Sequence, residues 1–144
     1  EGVEDEAGVR EQIDTYARLL PDARNLKLCL MVQIPDAAER RRLLPRLAWI
    51  GDHIYLELDG LPRVRAIANE DLHPADRRLS AVHFLRIELD ERAAHALREG
   101  RPFALGCDHP EYAKQIPVPA DLRARLSGDL HEAATRHAAS CALQ

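Results

Sequence analysis

Alternating apolar side chains mark Leu26–Ile34 as the cleanest strand in the chain. Leu26, Leu28, Leu30, Val32 and Ile34 fall on one side, and Lys27, Cys29, Met31 and Gln33 on the other. Pro35 ends it. The longest strand-like run is Ser80–Leu89, S-A-V-H-F-L-R-I-E-L. One of its faces holds Ala81, His83, Leu85, Ile87 and Leu89; the other holds Val82, Phe84, Arg86 and Glu88. Neither face is purely polar, so this strand is expected at the centre of a sheet and covered on both sides. His53–Leu58 and Arg63–Ala68 read as a hairpin around Asp59-Gly60-Leu61-Pro62. Arg101–Cys107 and Lys114–Val118 add two strands, and Pro117 marks the last as an edge.

Helical spacing takes over between these runs. Over residues 4–20, Val9, Ile13, Tyr16, Ala17 and Leu20 form one face, and Pro21 closes the helix. Asp36 is the predicted N-cap of a helix from Ala37 to about Trp49, with Glu39 at the capping-box position, a kink at Pro45 and Gly51 as the residue after the end. Asp90 caps a short helix through Leu97, and Gly100 ends it. Pro119 opens a last helix, with Leu122, Leu126 and Leu130 on one face. The pattern predicts one α+β domain over residues 1–130, a mainly antiparallel sheet of about six strands with packed helices, and an Ala-rich tail over 131–144. Residues 69–79 read as a polar loop.

Composition narrows the function classes. A net charge of −4 and a pI near 6.0 give no electrostatic pull toward nucleic acid or an anionic membrane surface. All 20 basic residues except Lys27 and Lys114 are arginine, and Arg40-Arg41-Arg42 spreads around a helical turn as a solvated face. Three distant cysteines, Cys29, Cys107 and Cys141, form no C-x-x-C pair and point to reduced thiols in a cytoplasm. No apolar run reaches the ~20 residues that span a bilayer. A first residue other than Met suggests a chain that starts inside a longer one.

The candidate ligand-binding residues are His83, Arg86, Asp108, His109 and Tyr112. His with a carboxylate can hold a transition metal or form an acid–base pair, and Arg with Tyr can hold an anion. The structural reading competes: His83 as a core histidine, Asp108 ordering its own turn with Pro110. Alternation places His83 and Arg86 on opposite faces, so one site using both needs a bulge or a strand end. No metal site is expected. His137 and Cys141 stand four apart, but H-E-x-x-H and paired-Cys spacings are missing. Glu70-Asp71 beside His73 reads as a turn. No nucleophile motif, phosphate loop or dinucleotide fingerprint occurs, so the sequence assigns no catalytic residue and no cofactor.

N-L-K-L-C-L-M-V (25–32), P-D-A-A-E-R-R-R-L-L (35–44), R-A-I-A-N-E-D-L (65–72), S-A-V-H-F-L-R-I-E-L (80–89) and D-H-P-E-Y (108–112) recur in this order. Together they resemble the bacterial domain-of-unknown-function family numbered 3501, from about Glu1 to Leu130. Members of that family begin further upstream with an additional strand and helix. Its genes lie beside those for rubrerythrin and an iron–sulfur oxidoreductase, so the resemblance implies a link to redox or peroxide metabolism. Pro45, Pro117 and the tail after Leu130 depart from the family pattern. The expectation is therefore a cytoplasmic binding or accessory protein with a protein partner in a redox system. The alternative is a metal-dependent or acid–base enzyme acting on a small anionic substrate through a His/Asp/Arg site.

Overall fold

The computed structural model describes residues 22–68 and 80–141. The helix expected over residues 4–20 and the loop at 69–79, with Glu70, Asp71 and His73, lie outside the described residues. Six strands form one antiparallel sheet: β1 (Asn25–Met31), β2 (Ile54–Leu58), β3 (Val64–Ala68), β4 (Val82–Glu88), β5 (Phe103–His109) and β6 (Tyr112–Pro117), in the order β1-β4-β3-β2-β5-β6. Among the described residues, helices α1 (Ala37–Leu43), α2 (Glu91–Arg98) and α3 (Ala120–Cys141) accompany the sheet in an α+β domain. The sheet curls. Leu28 and Leu30 of β1 line one cleft with Tyr112 and Ile116 of β6, although β1 and β6 are its opposite edges.

Period two sorts the side chains into two faces. Leu26, Leu28 and Leu30 stand opposite Ile87, Leu85 and His83 on the concave side. Ile54, Leu56 and Leu58 stand opposite Cys107, Leu105 and Phe103 on the same side. Leu56, Leu58 and Ile87 are almost wholly buried there, in one cluster with Ala93, Ala96 and Leu97 of α2 and Leu130 of α3. Burying such side chains is worth about 1.5–3 kcal/mol each. The small residues of α2 let that helix approach α3 closely.

The ends of the elements follow the local chemistry. Asp36 accepts from Glu39 N, and Asp90 from Ala93 N, each satisfying a free donor at a helix start. Gly60 and Gly100 take positive φ, at 71° and 69°. Ser127 Oγ and His131 Nε2 of α3 both donate to the Arg98 carbonyl at the end of α2.

Several expectations are corrected. Ser80–Leu89 is not covered on both sides by described residues: Phe84 is 61% and Val82 42% exposed. The helix from Ala37 does not continue past Pro45 with a kink. It stops at Leu43, and 3-10 turns at Leu44–Leu47 and Ile50–His53 follow. Trp49, not Gly51, takes the left-handed conformation there, with φ 67°. Gly51 is needed for a different reason. A Cβ on it would stand 2.9 Å from Ala68 Cβ and 3.1 Å from His83 Nδ1. β5 runs on to His109, two residues beyond the expected end at Cys107. α3 runs from Ala120 to Cys141, with Leu130 and Ala133 buried.

Gly51→Ala is expected to cost about 1–3 kcal/mol by overpacking, with part of the loss restored by Ala68→Gly in the same chain. Urea unfolding midpoints of the three proteins measure both.

Candidate functional site

The five sequence candidates do not form one constellation. His83 is 1% exposed on the concave face, against Gly51 and Ala68. Arg86 lies on the convex face and pairs with Glu88. His109 organises the β5–β6 turn: its Nε2 donates to the Ala48 carbonyl at 3.0 Å, and its Nδ1 accepts from Glu111 N at 3.2 Å. Both of its nitrogens are used by backbone, which makes it a structural histidine. Tyr112, half exposed, stands at the mouth of the concave cleft. Asp108 belongs to a polar network on the convex face. No bulge brings His83 and Arg86 to one side.

Sequence reasoning missed the centre of that network, Tyr55. The β-register sets Arg65, Tyr55, Gly106 and Gln115 in one row across β3, β2, β5 and β6. The Tyr55 ring lies over Gly106, where any Cβ would overlap it, and its hydroxyl donates to Gln115 Oε1 at 3.2 Å. Arg63 and Arg65 cover the ring, with guanidinium carbons 4.3 and 5.7 Å from its centroid. Such contacts add about 0.5–1 kcal/mol each at exposed sites. Tyr55 is therefore buried on the outside of the sheet, at 4% exposure. The signal for it was the Tyr-x-Glu of β2 opposite Arg-x-Arg of residues 63–65.

Each charge in this network has a partner. Asp108 receives Arg65 through two bonds of 2.7 and 2.6 Å, and its Oδ1 is 3.2 Å from His53 Nδ1. The Arg65 bonds, and then His53, hold the Asp108 carboxyl down at about 2. Arg63 bonds Glu57, which also accepts from Gln115 Nε2, and these bonds lower the Glu57 pKa. His53 meets the His109 ring edge-on at 4.9 Å between centroids. Among the described residues no group of three or more His, Cys, Asp or Glu side chains could hold a metal ion. Cys29 and Cys107 are free thiols, and burial pushes the Cys107 thiol up.

The concave face carries two apolar clefts. One cavity of about 640 Å³ is walled by Leu30, Val32, Leu43, Leu47 and Ile50, with Arg46 and Glu111 paired at its rim. A second, of about 250 Å³, is lined by Leu28, Ile54, Leu85, Leu105 and Ile116. Leu30 and Tyr112 line both. No helix among the described residues is long and apolar enough to cross a membrane.

The ionisation of Asp108 gives a signed test. Its carboxyl titrates at about 2 in the fold against 3.8 ordinarily, so the folded state binds fewer protons between those values. The stabilisation is complete above pH ~4 and lost as the pH falls through about 2. The stability gap between the native chain and Asp108→Asn should be constant above pH ~4 and close below it. A carboxyl carbon NMR titration of Asp108 should show its midpoint near 2. A midpoint at the ordinary value would contradict the network.

The chain belongs to the DUF3501 family of proteins of unknown function, whose family model matches residues 1–130. It is also similar to a solved structure, described as a novel protein of unknown function from Burkholderia pseudomallei. The two are 40% identical with a TM-score of 0.77, over 88% of this chain and 67% of that one. No curated protein matches the sequence.

Proposed function

We infer that this domain is a binding or accessory component, not a catalyst, and that it docks a protein partner of a redox system in the cytoplasm. The observation that carries the reading is the outer face of β1, β4 and β3. Met31 is 59%, Phe84 61%, Val82 42% and Ile67 39% exposed. The register sets Met31 beside Val82 and Cys29 beside Phe84. Grouped apolar side chains on one face are characteristic of a protein contact. Lys27 borders the group on the same face, where Arg65 and Arg86 are already paired with Asp108 and Glu88.

The polar network supports a binding role over an enzymatic one. Asp108, Glu57 and His109 already have partners, so an acid–base mechanism would first have to break them. The redox setting comes from the family resemblance alone.

The test is capture of partners from native extract by the full tagged chain and by a Phe84→Asp, Met31→Asp variant. The native chain should retain an iron, haem or flavin protein, and the variant should lose it at least tenfold without a change in thermal midpoint. Equal capture by both, or turnover of a small anion by the isolated chain, contradicts the reading.

A further inference from the structure

We propose that the open edge of β1 takes up an extended segment of the protein partner as an added antiparallel strand, with aliphatic side chains entering the seam toward β6 and a carboxylate opposite Lys27. The proposal rests on the reading that the outer face of β1 and β4 docks a protein, and it names the part of the partner that engages the edge.

The backbone of β1 is laid out for such a strand. No described strand lies beyond β1 in the sheet order. Val32 N bonds the Ala81 carbonyl and Leu89 N bonds the Arg24 carbonyl, so the even-numbered residues of β1 bond toward β4. Lys27, Cys29 and Met31 therefore turn their N–H and C=O groups away from β4. An edge of this kind is a template for pairing with another chain. The other side of the seam is blunted. Val118 N bonds the Phe103 carbonyl, which turns Ala113, Gln115 and Pro117 of β6 outward, and Pro117 has no N–H.

The side chains beside β1 fix the sequence that fits. An added strand continues both faces of the sheet. Its residues opposite Leu28 and Leu30 enter the cleft of about 250 Å³ that Leu105 and Ile116 also line, so they are aliphatic. Its residues opposite Cys29 and Met31 lie on the outer face and extend the exposed apolar group of Met31, Val82 and Phe84. Lys27 forms no ion pair with another described residue, so its complement across the new ladder is Asp or Glu. Taken antiparallel from Met31 to Lys27, the partner segment is four apolar residues followed by an acidic one. A hydrocarbon ligand fills the cleft and leaves the edge, the outer face and Lys27 unused; a strand uses all four.

The experiment titrates the full chain, nitrogen-labelled for NMR, with the acetylated and amidated peptide Ser-Val-Val-Thr-Val-Glu-Ser. Its core follows the pattern, with Thr opposite Cys29 for solubility. Binding should be saturable at one site. The Lys27, Cys29 and Met31 amides should become protected from hydrogen exchange, while those of Leu28 and Leu30, already bonded to β4, change little. N-methylation of the peptide's Thr, whose N–H faces β1, should weaken binding about tenfold or more. N-methylation of the Val that follows, whose N–H points away, should change it little. Lys27→Met should weaken binding about two- to fivefold. Cys29→Pro removes an outward donor and no β4 bond, and should abolish binding with the fold confirmed by a thermal melt. If that variant fails to fold, the two methylated peptides on the native chain still decide. No saturable binding, equal losses from the two methylations, or self-association of the chain that the peptide displaces would overturn strand addition. The two readings fail separately. Capture of a partner that still depends on Phe84, with no peptide binding, removes strand addition alone. Peptide binding, with capture unaffected by Phe84→Asp and Met31→Asp, removes the outer-face reading and supports the edge site.

Discussion

The outside of this sheet is organised by one aromatic ring lying across a strand with no side chain beneath it. Tyr55 sits opposite Gly106, covers it, and reaches Gln115 on the next strand. The pairing of β2 with β3 is short, with Tyr55↔Arg65 and Leu56↔Val64 as its register pairs. A short ladder is weak on its own. Arg63 and Arg65, stacked on the ring, tie β3 to the same residue. One side chain thus spans the joint at which the two halves of the sheet meet. An aromatic ring covering a cross-strand glycine also compensates the loss of packing and backbone order that glycine brings to a strand.

The two faces follow from that joint. On the convex side, the half around Tyr55 is polar and internally paired, with Arg65–Asp108–His53 and Arg63–Glu57 as its ion pairs. The half formed by β1 and β4 exposes Met31, Val82 and Phe84. On the concave side the curl brings β1 toward β6 and leaves apolar space between them. The fold therefore offers an outer apolar face and an inner apolar cleft, while the charged groups mostly neutralise one another.

Most of the architecture was legible in the sequence because it rests on local signals. Alternation at Leu26–Met31 and at Val82–Glu88, the caps at Asp36 and Asp90, and the turn glycines Gly60 and Gly100 each state their role within a few residues. The opposite placement of His83 and Arg86 followed from period two alone. What was hidden depends on contacts between distant segments. Gly51 resembled a helix terminator, and only His83 and Ala68, brought in by β4 and β3, reveal why a glycine is needed. Asp108 was singled out, but its partners Arg65 and His53 are 43 and 55 residues away. Tyr55 drew no notice because its neighbours come from three other strands. The candidates were individually reasonable, yet pairing across the sheet, not sequence spacing, decided which of them meet.

A double-mutant cycle at Tyr55 and Gly106 tests the organising contact most directly. Gly106→Ala should cost about 1–3 kcal/mol in the native chain, because the new methyl group collides with the ring. The same change made in a Tyr55→Ala background should cost much less, since the space above the strand is then open. Urea unfolding of the four proteins gives the coupling energy, expected to exceed ~1 kcal/mol. Additive effects, agreeing within ~0.5 kcal/mol, would contradict the account, because they would mean that the ring and the glycine do not depend on each other.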